Sequence, residues 1–78
     1  MSWLKFHRPT QAPGQKTLRW TVTTADGSGP LGEIAWFGRW RKYAFFVEPH
    51  SVFEQECLRE IAAFCEDRTR EHKEKARG

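Results

Sequence analysis

Long apolar runs are missing from this sequence of 78 residues, and cysteine is scarce, with two residues. No segment approaches the ~20 apolar residues that a membrane-spanning helix needs. The N-terminal residues MSWLKFHRPTQAPGQK lack the apolar centre of a secretory signal. Secreted domains of this size usually contain several disulfides, so the low cysteine content favours a reducing compartment. We therefore expect a cytoplasmic protein with no membrane partner.

Patterns that carry chemistry are also missing. Cys57 and Cys65 are eight residues apart, which is roughly 12 Å along a helix, so they cannot share a metal or form a disulfide with each other. The histidines fit no ligand spacing. The glycines of residues 27–32 belong to a turn between strands and not to a phosphate-binding loop between a strand and a helix. We expect no enzymatic activity, no metal and no cofactor, and the sequence identifies no small-molecule substrate.

Aromatic residues are abundant, with four Trp and six Phe. Aromatic side chains bury the most area per residue, which allows one short domain to build a core. The charge is uneven: residues 1–47 contain seven Lys/Arg and two Asp/Glu, whereas residues 48–78 contain six and eight. This division is explained by a basic sheet that attracts an acidic helix, or by a surface that faces a polyanion.

Three segments are typical of β-strands. Residues 17–24, TLRWTVTT, alternate so that Trp20 and Val22 lie on one face. Residues 25–30, ADGSGP, predict a turn. Residues 31–37 and 41–47 form the second and third strands, joined at Gly38-Arg39 by a two-residue type II′ hairpin.

This hairpin divides its residues between two faces of the sheet. In the predicted register Trp36 opposes Arg41 and Ile34 opposes Tyr43. The first face carries Gly32, Ile34, Trp36, Arg41, Tyr43 and Phe45. The second face carries Leu31, Glu33, Ala35, Phe37, Trp40, Lys42, Ala44 and Phe46.

A helix is predicted after Pro49. Ser51 and Glu54 have the spacing of a capping box, in which each side chain accepts a backbone N–H of the other residue. The apolar residues then fall in one stripe about 140° wide, which is typical of a helix packed on a sheet. These residues are Phe53, Cys57, Leu58, Ile61, Phe64 and Cys65. Beyond Cys65 the stripe is charged or polar, so the buried part of the helix is expected to end near Glu66.

The predicted fold is α+β, with a three-stranded antiparallel sheet and one C-terminal helix on one face. Residues 1–16 are expected to form a flexible arm, residues 17–66 the β-β-β-α domain, and residues 67–78 a charged tail that is helical or frayed. The second face of the sheet then needs a cover, supplied by the arm, a second subunit or a ligand.

The segment RKYAFFVE resembles the RNP1 element of RRM domains at Arg41, Tyr43, Ala44 and Phe45. In that family the counterparts of Tyr43 and Phe45 stack on bases. Lys42, Phe46 and Glu48 depart from the pattern. An RRM also needs a helix between its first two strands, which residues 24–31 do not provide. We interpret the match as a coincidence.

A longer pattern covers residues 31–65 and runs G-x-I-x-W-(x)3-W-R-x-Y-x-F, then a proline, then C-L-x-x-I-x-x-F. It consists of Gly32, Ile34, Trp36, Trp40, Arg41, Tyr43, Phe45, Pro49, Cys57, Leu58, Ile61 and Phe64. The pattern resembles a group of short uncharacterised proteins from bacteria and their phages or prophages. The resemblance implies the small β-β-β-α fold and a phage-related origin, and it implies no catalytic residue.

Two functions remain, and the preferred one is a non-enzymatic protein-interaction or accessory module, self-association included. The alternative is binding of single-stranded nucleic acid by aromatic and basic residues. That alternative uses Trp36, Arg41, Tyr43, Trp40, Lys42 and Arg39, with Lys5, Arg8 and Lys16 of the arm.

If Ile34, Trp36, Tyr43 and Phe45 form the core, Arg41 stacks on Trp36. The candidate partner-binding residues are then Phe37, Arg39, Trp40, Lys42 and Phe46. Solvent exposure of Trp36 compared with Trp40 decides between these assignments.

Overall fold

The computed structural model describes residues 3–27 and 29–77. Within these ranges an antiparallel sheet of order β1-β2-β3-β4 is followed by a C-terminal helix. The elements are β1 (Leu4–Phe6), β2 (Trp20–Thr24), β3 (Pro30–Phe37), β4 (Lys42–Val47) and α1 (Gln55–Arg77). The α+β class, the antiparallel sheet and the C-terminal helix are confirmed. The strand number is wrong, because the described residues form four strands and not three.

The additional strand, β1, comes from the segment expected to be a flexible arm. Leu4 pairs with Thr24 and Phe6 with Val22, which extends the sheet beyond β2. Leu4 is buried, and the Phe6 ring stacks on Phe64 of the helix at 4.2 Å between centroids. A strand of three residues is too short to show a period in the sequence. Its pairing depends on the free edge of β2 and on the apolar face of α1. Residues 1 and 2 of the arm lie outside the described residues.

In the β2–β3 pair, the side chains of β2 lie on the faces of the sheet that the sequence predicts. Trp20 and Val22 are both buried on the helix side, and the register shifts between Val22 and Thr23. Gly32 pairs with Val22 and has a φ of 154°, a conformation that L side chains rarely adopt. A Cβ at Gly32 would clash with the Phe46 carbonyl oxygen and lie 2.9 Å from the Phe45 ring. A glycine is therefore required where β3 passes under the Phe45 ring. Residue 28 of the predicted turn lies outside the described residues.

The β3–β4 loop is longer than the predicted two-residue hairpin. Phe37 pairs with Lys42, and residues 38–41 form the loop. The positive φ of 53° is at Arg41, whereas a type II′ turn requires it at Gly38. The predicted register is therefore wrong by two residues: Trp36 opposes Tyr43 and not Arg41. A shift by two leaves every side chain of β4 on its assigned face, because the side-chain period of a strand is two.

The helix begins later than the predicted capping box. The backbone N–H of Cys57 donates to the Glu54 carboxylate at 2.6 Å, and the Leu58 N–H donates to the Glu54 carbonyl at 3.0 Å. Glu54 is therefore the N-cap. The Ser51 N–H instead donates to the Glu48 carbonyl at 3.3 Å and closes a turn. Within this turn His50 has a φ of 67°. The Ser51–Glu54 capping box is wrong, since the chain needs those residues to cross from β4 to the helix.

The helix stays packed on the sheet beyond Glu66. Thr69 Oγ1 accepts the backbone N–H of Tyr43 at 2.9 Å. The His72 ring lies 4.5 Å from the Trp36 ring, and the Arg68 guanidinium lies 4.8 Å from the Phe64 ring. The expected end of packing near Glu66 is therefore wrong, because polar residues with apolar or hydrogen-bonding parts continue the stripe. No helix among the described residues is long and apolar enough to cross a membrane.

The core lies between α1 and one face of the sheet. Ile34 and Val22 are completely buried at its centre. Around them are Leu4, Trp20, Tyr43, Cys57 and Ile61. Within the stripe, Leu58 is an exception at 52% exposure, because it lies at the stripe's edge. Every strand contributes to this core from the same face, which leaves the opposite face of the sheet without a covering element in the described part of the chain.

Candidate partner-binding surface

The aromatic residues of the helix-facing side hold the fold together. Tyr43 is 6% exposed, and its ring makes edge contacts with Trp36 and Trp20, each at 5.3 Å between centroids. The Phe45 ring packs edge-on against Phe53 at 5.3 Å. Tyr43 and Phe45, the two residues matched to the base-stacking positions of RNP1, are therefore directed toward the helix. Of the residues assigned to nucleic-acid binding, Trp36 and Tyr43 belong to the core.

The predicted stacking of Arg41 on Trp36 does not occur. Arg41 lies in the β3–β4 loop and is exposed, and Trp36 packs on His72. The arginine that lies over an aromatic ring is Arg68 of the helix, above Phe64. The two-residue shift of register accounts for this difference, because it moves Arg41 out of the strand pair.

On the opposite face, Phe37, Trp40 and Phe46 form a cluster that we call the aromatic patch. The Phe37 ring contacts Trp40 edge-on at 4.7 Å and Phe46 at 6.2 Å. Trp40 is 65% exposed and Phe46 is 44% exposed. The structure thus brings together three of the five predicted partner-binding residues, and Trp40 is the exposed member of the Trp36/Trp40 pair.

Small residues allow the patch to form. Phe37 and Phe46 lie on neighbouring strands, on either side of the Ala35–Ala44 pair. Ala35 is 5% exposed although no element of the described chain covers this face. The side chains of the face itself therefore cover Ala35, and the two phenylalanine rings approach each other across the alanine pair. Larger residues at positions 35 and 44 would separate the rings.

Cations surround the exposed tryptophan. Arg39 and Arg41 flank Trp40 in the loop, and Lys42 opens β4 opposite Phe37; all three are exposed. We call Phe37, Arg39, Trp40, Lys42 and Phe46 the binding surface. Glu33 lies directly opposite Phe46 on this face and accepts a hydrogen bond from Arg19 at 3.0 Å. His7 Nε2 and Thr23 Oγ1 form a hydrogen bond of 2.9 Å. Three cations therefore lie in or next to the loop that holds Trp40, and the carboxylate opposite Phe46 is paired with Arg19.

Two cavities were not predicted from the sequence. One of about 610 Å³ lies beside the contact between β4 and the second half of α1, and its lining includes Lys42, Tyr43, Cys65 and Thr69. The other, of about 390 Å³, lies at the far end of the sheet from Trp40. Each is lined by segments that are distant in the chain. No local spacing in the sequence could have indicated them.

The two thiols are poor nucleophiles in their surroundings. The Glu54 carboxylate and burial raise the pKa of the Cys57 thiol, and burial raises the pKa of the Cys65 thiol. A raised pKa lowers the fraction of thiolate, which is the reactive form. In turn, the backbone N–H groups of Glu56 and Cys57 hold the pKa of the Glu54 carboxyl below its ordinary value. These groups stabilise the start of the helix.

Comparison with known proteins relates the chain to a phage protein. No family model matches the chain, and no solved structure matches it. The chain is 36% identical to the uncharacterized 9.3 kDa protein of Acholeplasma phage L2 over 62 residues, which cover 80% of each protein. Identity of this extent over most of both chains shows common descent. The chain therefore belongs to the same family as the 9.3 kDa protein of Acholeplasma phage L2.

Proposed function

We propose that this protein is a non-enzymatic protein-interaction module that acts as an accessory factor in the cytoplasm, and that its binding surface is Phe37, Arg39, Trp40, Lys42 and Phe46. One observation carries the proposal. Trp40 is 65% exposed and its ring contacts Phe37, which in turn contacts Phe46, on a face that no element of the described chain covers.

Exposure of these rings has a free-energy cost in water. Burial of apolar surface contributes roughly 25 cal/mol per Å², and a large aromatic side chain offers up to about 250 Å². Trp40 is not among the residues of the core or those packed against it, and its ring contact is with Phe37 of the aromatic patch. Tryptophan and arginine are the residues that most often dominate binding free energy at protein interfaces. An exposed Trp40 beside Arg39 has the composition of such an anchor.

The positive charge limits the class of partner. A partner surface needs an apolar pocket for Trp40 and carboxylates placed to face Arg39 and Lys42. Two copies of the chain that met symmetrically through this surface would place these cations against each other. The binding surface therefore favours a partner with acidic and apolar residues over a symmetric contact with a second copy of itself.

A peptide selection tests the proposal without a known partner. We expect a random peptide library presented to the wild-type protein to yield peptides rich in Asp/Glu and apolar residues. Substitution Trp40→Ala should weaken their binding by at least about tenfold, because it removes the anchor. The control is Leu58→Ala, since Leu58 is 52% exposed, lies outside the binding surface and lines neither cavity. Selected peptides that bind Trp40→Ala and wild type equally would contradict the proposal.

A second candidate is the binding of single-stranded nucleic acid, favoured by the placement of Trp40 between Arg39 and Arg41. An exposed indole stacks on a base while the guanidinium groups pair with phosphates. Oligo-dT would then quench tryptophan fluorescence at low salt, and the affinity would fall as the salt concentration rises. Trp40→Phe should remove most of the quenching. Absence of quenching at low salt would eliminate this candidate.

A further inference from the structure

The smaller cavity forms an apolar pocket at one end of the sheet, which we call the sheet-end pocket. Its volume is about 390 Å³. The lining is mostly apolar and includes Trp3, Leu4, Leu31, Val52, Phe53 and Cys57. Val52 is 90% exposed and Trp3 is 63% exposed, so the mouth of the pocket presents apolar side chains to solvent. A pocket of this size lies at the lower end of the range that admits ligands, roughly 300–1,000 Å³.

Acidic residues lie at the same end of the sheet as the sheet-end pocket. Asp26 contributes to its lining. Glu48 and Glu54 lie in the segment that leads from β4 into α1, and Glu56 lies in the first turn of α1; the Glu54 carboxylate also accepts the Cys57 N–H. Residues 24–27, 29–31 and 47–57 contain no Lys or Arg, and the nearest cations along the chain are Lys5 and Arg59.

The binding surface lies at the opposite end of the sheet. Antiparallel strands alternate in direction, so the start of β3 lies at the sheet-end pocket and the end of β3 leads into the loop that holds Trp40. That loop and the first residue of β4 carry Arg39, Arg41 and Lys42. The loop at one end of the sheet is therefore basic and aromatic, and the pocket at the other end is mostly apolar with an acidic residue in its lining.

We propose that the protein self-associates head to tail, with the Trp40 loop of one copy docked in the sheet-end pocket of a second copy. This inference rests on the proposed function, since it assigns a partner to the same binding surface. An indole enters the apolar pocket, and the cations of the loop face the acidic residues around it. A symmetric contact of two Trp40 loops is disfavoured because it pairs like charges.

The geometry also determines the form of the assembly. The two contact surfaces differ and lie at opposite ends, so each docked copy still offers one free loop and one free pocket. Such a heterologous contact extends into a chain of copies, unless its rotation closes a ring. Association should increase continuously with concentration and should weaken with added salt, which screens charges at the surface.

Sedimentation velocity over about 10 µM to 1 mM tests this contact. Trp40→Ala disables the loop and leaves the pocket intact. Val52→Lys disables the pocket by placing a cation at its mouth, where it meets the cationic loop. Val52 is almost fully exposed, so this variant should fold. Each variant alone should remain monomeric where the wild type associates. The control Leu58→Ala changes a side chain that is 52% exposed and lies outside both surfaces, and it should associate like the wild type.

Mixing the two variants gives the decisive result. The intact loop of Val52→Lys should dock in the intact pocket of Trp40→Ala. In the resulting dimer the remaining loop and the remaining pocket are both disabled, so no third copy can bind. We therefore expect an equimolar mixture to form a dimer and no larger species. A wild type that stays monomeric, a Trp40→Ala variant that still associates, or a mixture that stays monomeric would each overturn the inference. In all three cases the peptide selection still tests the proposed function separately. Selected peptides whose binding requires Trp40 would support that function, and a selection that yields no such peptides would contradict it.

Discussion

The two faces of the sheet use similar residues for different purposes. The helix-facing side carries Trp36 and Tyr43, which pack on each other and on α1. The open side carries the half-buried Phe37 and the exposed Trp40, which pack on each other. Neighbouring residues in the chain thus differ completely in surroundings, because successive side chains of a strand point to opposite faces. Aromatic content alone therefore does not indicate a binding surface; the face on which the ring lies decides its role.

The largest expected effect separates these faces directly. Ile34 is completely buried on the helix-facing side, so Ile34→Ala should lower the free energy of unfolding by about 2–5 kcal/mol through the cavity it leaves. Phe46 is 44% exposed on the open side, so Phe46→Ala should cost about 1 kcal/mol or less although it removes a larger side chain. Urea unfolding of both variants measures the difference. Equal losses would show that the open side also carries the stability of the fold.

A smaller effect tests whether the second half of α1 packs on the helix-facing side of the sheet. β4 is the outer strand, and the N–H of Tyr43 is satisfied by the Thr69 hydroxyl. Thr69→Val keeps the shape and removes the acceptor, which should cost about 1–2 kcal/mol and speed amide exchange at Tyr43. Thr69→Ser retains the acceptor and should stay close to the wild type in both measurements. If Val and Ser variants exchange at the same rate, the helix does not protect this edge.

The smallest expected effect is on the pH dependence of stability and concerns Glu54 at the N-terminus of α1. The pKa of the Glu54 carboxyl is lowered in the folded state, chiefly by the backbone N–H of Glu56 and then by Cys57. A lowered folded pKa contributes stability above the unfolded pKa, and this contribution is lost as the pH falls through the folded pKa.

Thermal unfolding between about pH 6 and pH 2 measures this contribution. Glu54→Gln removes one titrating carboxyl, so the wild type should lose more stability than the variant as the pH falls. Ser51→Ala serves as the control, since Ser51 is not the cap, and it should retain the pH dependence of the wild type. Parallel pH curves for wild type and Glu54→Gln would contradict the assignment of Glu54 as the N-cap.

Much of the candidate surface could be predicted because strand alternation is local. Phe37, Trp40 and Phe46 were assigned to the open face from a register that proved wrong by two residues, and they remained on that face. An even shift preserves facing, whereas an odd shift would have placed the side chains of β4 on the opposite face of the sheet relative to β3. The sheet-end pocket was missed, because Trp3, Leu31 and Val52 meet only after the chain has folded.

The alternation of side chains along each strand and the apolar stripe of the helix were determined by the sequence, since both depend on neighbours within one element. The tertiary structure alone decided the rest. Residues Leu4–Phe6 became a strand because the edge of β2 and the Phe64 ring were available to them. The helix began at Gln55 because the chain had to leave β4 first, and it remained packed past Glu66 because Tyr43 and Trp36 accept Thr69 and His72 as neighbours. Such contacts join residues far apart in the chain, and their free energy appears only when the elements meet.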